Sequence, residues 1–113
     1  MAILTAGFDK LANGIGTAAT LTLEAWSIAD PTAVVLDSKN SADGFSFTTA
    51  PADGSGVIDL SSNVTFTLAT GETVGEVRLY SGASKLATET LTTDNAFPNG
   101  GDLIVTSFKI TVT

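Results

Sequence analysis

The chain has 113 residues, of which 12 are acidic and 5 basic, and it contains no His and no Cys. A net charge of −7 repels nucleic-acid phosphates and anionic lipid headgroups, so we expect neither a nucleic acid nor a membrane as partner. Without His or Cys the chain cannot form a disulfide, a thiolate metal site, a Ser–His–acid triad or a cysteine nucleophile. The length suits one domain, and we assign residues 1–113 to a single domain.

The N-terminal segment is the one candidate helix. Leu4, Phe8, Leu11 and Ile15 recur at spacings of four, three and four residues, which places them on one helical face. This spacing predicts a short N-terminal helix that packs on the rest of the domain.

After this segment, apolar residues alternate with Thr, Ser and charged residues, which is typical of half-buried strands. Gly-, Pro-, Asn- and Asp-containing turns separate the alternating runs. The predicted strands are Thr20–Ile28, Ala33–Leu36, Phe45–Thr48, Val57–Leu60, Val64–Leu68, Val77–Tyr80, Lys85–Leu91 and Leu103–Thr113. About eight short strands at this spacing predict an all-β fold, a single antiparallel β-sandwich with one short helix.

The alternation also predicts which side chains form the interior. We expect one shared core that contains Val64, Phe66, Leu68, Val77, Leu79, Phe108 and Ile110. In the last strand, the same parity places Ile104, Thr106, Phe108, Ile110 and Val112 on one side. This strand is either an exposed edge, which invites pairing with another chain, or an interior strand of the sandwich.

Four side chains are candidates for an interface because parity turns them away from the core. Trp26 and Ile28 alternate with Leu21 and Leu23, and Arg78 and Tyr80 alternate with Val77 and Leu79. Exposed Trp, Tyr and Arg are enriched at the centres of protein interfaces. Two alternatives remain open: a β-bulge reverses the parity, or the helix with Phe8 and Leu11 covers Trp26.

Enzyme chemistry has weak candidates. Ser81 and Ser84 lie close in sequence to Lys85, but an exposed lysine keeps its proton and is a poor base. Glu72 and Glu76 are a possible carboxylate pair, but they flank a Gly-containing turn with no sign of burial. We therefore predict that the chain is not an enzyme and binds no cofactor.

Metal binding is also not expected. Asp43, Asp53 and Asp59 lie in one region, but their spacing does not fit a calcium-binding loop. Asp is an ordinary turn residue, which explains these positions without a metal.

Several segments resemble small virion proteins of tailed bacteriophages. The similar segments are Met1–Leu11, Ala29–Pro31, Val64–Leu68, Gly71, Thr73–Val74, Gly75–Gly82 and Leu103–Phe108. The opening is similar to the family's M-A-[IL]-[ST] start, with Leu4 inserted before Thr5. The other segments are similar to its A-D-P motif, its V-T-F…G-x-T-V…[LF]-[WY]-S segment and its closing strand. The His-Thr pair that usually precedes A-D-P is absent here.

The resemblance implies a β-sandwich virion component with no catalytic residues. On this basis we expect a homo-oligomeric capsid decoration or cement protein, which binds the major capsid protein or other virion proteins on the head and stabilises capsomer contacts. The alternative is a tail-fibre or minor tail protein in which Trp26 or Tyr80 stacks on a host glycan.

Overall fold

The fold is taken from a computed structural model, and the structure describes residues 11–15, 17, 21–28, 32–49 and 56–111. Residues 11–15 are helical, and a 3-10 turn lies at Ser41–Asp43. The strands are β1 (Leu21–Ser27), β2 (Val35–Asn40), β3 (Val57–Ile58), β4 (Val64–Leu68), β5 (Glu72–Ser81), β6 (Ser84–Phe97), β7 (Gly101–Val105) and β8 (Ile110–Thr111). The strand pairs within these ranges are antiparallel, which confirms the predicted all-β class.

The largest sheet has four strands in the order β2-β1-β5-β6. Its β5–β6 hairpin turns at Gly82, whose φ of 58° is one that glycine adopts without strain. Two smaller pairs, β4–β7 and β3–β8, complete the sheet structure of the described chain. Asp37 of β2 joins the large sheet to β4, because its carboxylate accepts a hydrogen bond from the Thr67 amide at 2.7 Å.

The core lies on one side of each alternating strand. Leu21, Leu23 and Ala25 are buried along β1, and Phe66 and Leu79 are fully enclosed. All seven residues of the predicted shared interior are buried in this one cluster. Burying a side chain of this size stabilises the fold by about 1.5–3 kcal/mol.

The prediction of one continuous final strand is wrong. It divides into β7 and β8, and residues 106–109 between them are not in a strand. Ile104 is 56% exposed, whereas Phe108 and Ile110 are buried. The cause is a change of partner strand, since β7 pairs with β4 and β8 pairs with β3. The alternation of buried and exposed side chains therefore does not continue from β7 into β8. Val112 lies outside the described residues.

Three further predictions need correction. The predicted strand Phe45–Thr48 is reduced to a single antiparallel bridge between Phe47 and Leu60. The helical residues that pack on the core are Ala12 and Ile15, whereas Leu11 is exposed. The other two residues of the predicted helical face, Leu4 and Phe8, lie outside the described residues. The second strand begins at Val35 and runs to Asn40 rather than over Ala33–Leu36. It is the outer strand of its sheet, so Val35 at its start is exposed without a core contact.

No helix in the described part of the chain has the length and apolar character needed to cross a membrane.

Candidate interaction surface

The outer face of the four-stranded sheet carries the predicted interface residues. In the β1–β5 register, Trp26 lies opposite Glu76, Glu24 opposite Arg78, and Thr22 opposite Tyr80. Cross-strand partners share a face of the sheet, and the residues that alternate with these six are buried. The structure therefore brings Trp26, Arg78 and Tyr80 together on the side opposite the core.

Arg78 is the centre of this group. Its guanidinium carbon lies 3.8 Å from the centroid of the Trp26 ring, which is a cation–π contact. Its Nε donates a hydrogen bond to Glu76 Oε1, with which it also forms an ion pair, and its Nη1 donates to the Tyr80 hydroxyl at 3.3 Å. On the other strand, Trp26 Nε1 donates to Glu24 Oε1 at 3.0 Å. We call these five side chains the Arg78 cluster: Glu24, Trp26, Glu76, Arg78 and Tyr80.

The electrostatics keep Arg78 positively charged. The hydrogen bond to Tyr80 raises the pKa of the guanidinium above its ordinary value, and the bond and charge of Glu76 act in the same direction against the effect of burial. Arg78 and Glu76 remain 18% and 21% exposed, so water screens their attraction. The cluster therefore holds its side chains in place more than it stabilises the fold.

Ile28 extends the same face beyond the end of β1. A Cβ built at Gly75 would lie 2.7 Å from Ile28 Cγ2 and 3.0 Å from Ile28 Cα, so the Ile28 residue lies directly over the glycine. Gly75 is the extra residue of a β-bulge, since Ser27 pairs with Val74 and Trp26 with Glu76. The absence of a side chain at residue 75 leaves room for Ile28, which is 41% exposed.

Sequence reasoning missed an exposed apolar residue, Val35, next to Trp26. Val35 of β2 pairs with Trp26, and Val34 exchanges hydrogen bonds with Ser27. They are 49% and 53% exposed. The sequence predicted a strand over Ala33–Leu36 without assigning its faces, and only the pairing with Trp26 shows where Val35 lies. Successive residues of an extended chain point to opposite faces, so Val35 shares the outer face with Trp26, whereas Val34 lies opposite Ser27 and points to the other side. We call Trp26, Ile28 and Val35 the apolar end.

The structure tests part of the alternative in which the N-terminal helix covers Trp26. The helical residues Ala12 and Ile15 belong to the core cluster, which also contains Leu21 and Leu23. Those side chains lie on the opposite side of β1 from Trp26. Phe8, the other residue expected to cover Trp26, lies outside the described residues.

The candidate catalytic groups are engaged separately. Glu72 Oε1 accepts a hydrogen bond from the Ala69 amide at 2.6 Å and so caps a turn, while Glu76 binds Arg78. Ser81 and Ser84 face each other across the hairpin, and Lys85 is exposed beside them. Neither set of residues has the burial that would tune it as an acid or base.

Asp59 has a structural role in the described chain. Its carboxylate accepts hydrogen bonds from the amides of Phe108 at 2.6 Å and Leu60 at 2.7 Å, and from the Ser107 hydroxyl at 2.8 Å. Burial by itself would raise the pKa of Asp59, but these bonds and the charge of Lys109 outweigh it and lower the pKa below 3.8. The Asp43 side chain and Asp53 lie outside the described residues, and the described side chains include no acidic group arranged to hold a metal ion.

A depression on the described surface lies away from the Arg78 cluster. It has a volume of about 330 Å³ and is lined by Lys39, Gly44, Phe45, Asn63, Val64 and Thr65. Lys39 is the one charged side chain in this lining, so the depression has no acid–base pair to support a reaction.

Comparison of the chain with known protein families, with curated proteins and with solved structures gives no significant match.

Proposed function

We propose that this chain is a structural binding module that contacts other proteins through the outer face of its four-stranded sheet. The observation that carries the proposal is the Arg78 cluster: a half-buried Trp, an Arg and a Tyr, held by mutual contacts on the sheet face opposite the core. Trp, Tyr and Arg are the residue types that contribute most when a protein interface excludes water.

The geometry of the cluster favours binding over catalysis. Its polar atoms bond to one another and hold the aromatic rings in one arrangement, so little side-chain freedom is lost when a partner docks. The apolar end lies beside the rings and supplies area that a partner can cover. A flat, preorganised surface of this kind suits a protein partner better than a small substrate, which needs a concave site.

We further propose that the module belongs to the particle of a tailed bacteriophage, as a capsid decoration protein bound to the major capsid protein. Support for this placement comes from the sequence segments similar to phage virion proteins and from the all-β fold, which suits such a component. In this setting the protein acts as a ligand of the folded shell and raises the temperature at which the shell melts.

Particles assembled with and without the chain test this proposal. We expect particles that contain it to melt at a higher temperature in differential scanning calorimetry, and immunogold labelling to mark the head. Trp26→Ala and Arg78→Ala should reduce the amount bound to particles, while Ile104→Lys on β7 should leave it unchanged. Equal melting temperatures with and without the chain would contradict the decoration role.

A tail-fibre module that binds glycan is the second candidate. A glycan would stack a sugar ring on Trp26 and donate a hydroxyl hydrogen bond to the adjacent Glu24 carboxylate. Arg78 already covers one face of the Trp26 ring, so only the other face is available for stacking. Labelling on the tail together with binding on a glycan array would favour this candidate, and labelling on the head with no glycan bound would remove it.

A further inference from the structure

We infer that the outer sheet face is a homodimer interface, in which the apolar end and the Arg78 cluster of one copy pack against the same face of a second copy. The inference rests on the proposed function and deepens it, since it names a second copy of the chain as the protein that this face contacts, so that the dimer is the unit that binds the particle. It rests on the exposed apolar area, the local charge and the size of the face.

The apolar end gives the face exposed apolar area, which a partner can remove from water. Ile28 and Val35 are two of the large apolar residues that remain substantially exposed in the described chain, and backbone pairing places Val35 beside Trp26. Single exposed aliphatic residues are ordinary, but a group of them around a Trp marks an interaction surface. Contact with an equivalent patch removes both patches from water.

The charge of this face is the argument for a second copy. The chain carries a net charge of −7, so most of its surface repels an identical molecule. The register places two acidic side chains on this face, Glu24 and Glu76, together with the basic side chain of Arg78. Lys85 lies opposite Tyr80 and adds a second positive charge, so the charges of these described side chains balance. The face is therefore close to neutral, with both signs present, and a twofold arrangement can place acids near bases.

The size of the face also fits a dimer. With strands about 4.8 Å apart and about 3.3 Å per residue, four strands along the ten residues of β5 span about 19 by 33 Å. This footprint is comparable to a standard interface, which buries about 800 Å² per partner. A twofold interface uses the same patch on both subunits, so no further surface is needed.

Sedimentation equilibrium over a range of concentrations tests the inference. For the wild type, we expect the average mass to rise from 11.5 kDa towards twice that value as concentration increases. Ile28→Lys and Val35→Lys should weaken the dimer by roughly tenfold or more, because each places an ammonium group in the apolar centre. Val35→Lys is the cleaner variant, since Ile28 also packs on Gly75.

Ile104→Lys is the matched control, because Ile104 is an equally exposed aliphatic residue on β7. It should dimerise like the wild type. A mass of 11.5 kDa at every concentration, or equal weakening by Ile104→Lys, would overturn the inference. If the protein is a monomer but Val35→Lys loses binding to particles, the face serves another protein, which overturns the dimer and supports the proposed function. A dimer broken by Val35→Lys that never binds particles supports the dimer and overturns the particle role.

Discussion

Asp59 and the Arg78 cluster are both polar networks, but their bonds go to different places. Asp59 accepts hydrogen bonds from two backbone amides and from the Ser107 hydroxyl, which lies 48 residues further along the chain. Arg78 bonds only to side chains of its own face in the described structure. A carboxylate that satisfies the backbone holds segments of the fold together, whereas side chains that bond to one another on an open face shape a surface. We therefore expect Asp59 to matter for stability and Arg78 for binding.

The largest effect should come from removing the Asp59 carboxylate. Asp59→Ala leaves the Phe108 and Leu60 amides without their acceptor, and we expect it to lower the free energy of unfolding by about 3 kcal/mol. Urea unfolding measures this change. Asp102→Ala, an exposed carboxylate on β7, is the control and should change stability by less than about 0.5 kcal/mol. Equal effects of the two variants would remove the distinction drawn for Asp59.

A substitution beneath the outer face should have the next largest effect. Gly75→Ala places a Cβ against the Ile28 backbone and side chain, and we expect a loss of about 1–2 kcal/mol in unfolding free energy. Because Trp26 is the only Trp, its fluorescence should also report the displaced neighbour. Gly14→Ala, where a Cβ meets no atom within 4 Å, should be neutral or slightly stabilising. An unchanged spectrum and stability for Gly75→Ala would mean that Ile28 does not depend on the glycine.

Acid should affect the Asp59 network more mildly than mutation does, since a protonated carboxyl still accepts some hydrogen bonds. The pKa of Asp59 is lowered in the folded state relative to 3.8, so the folded state binds fewer protons there and stability rises with pH in that window. The contribution is complete above pH 3.8 and is lost as pH falls through the lower folded pKa. Urea unfolding below pH 4 should show a shallower pH dependence for Asp59→Asn than for the wild type. Parallel curves would contradict the role of the ionised carboxylate.

The smallest effect on stability should come from the Arg78 cluster itself. Arg78→Ala removes a screened ion pair and a cation–π contact, and we expect it to cost less than about 1 kcal/mol. The Trp26 emission should shift to longer wavelength because the ring loses its cover. Lys85→Ala, an exposed cation at the hairpin, should leave the emission unchanged. A loss above about 2 kcal/mol for Arg78→Ala would mean that Arg78 supports the fold as Asp59 does.

The alternation in the sequence was sufficient to predict the all-β class and the buried side of the main strands. It also turned Trp26, Arg78 and Tyr80 away from the core, because side-chain direction in a strand depends only on position along that strand. Strand pairing is different, since it depends on residues far apart in the chain. Only the tertiary structure placed β1 beside β5, and so Arg78 over Trp26.

The same limit explains the break between β7 and β8 and the exposure of Val34 and Val35. The alternation around Ile104 and Phe108 looks continuous, but Asp59 and a change of partner strand reverse which side is buried. Val35 lies in the outer strand of a sheet, where no further strand pairs beyond it in the described chain, and Val34 precedes that strand. Local periodicity determines which way a side chain points, and the partners that the chain folds against decide whether anything lies there.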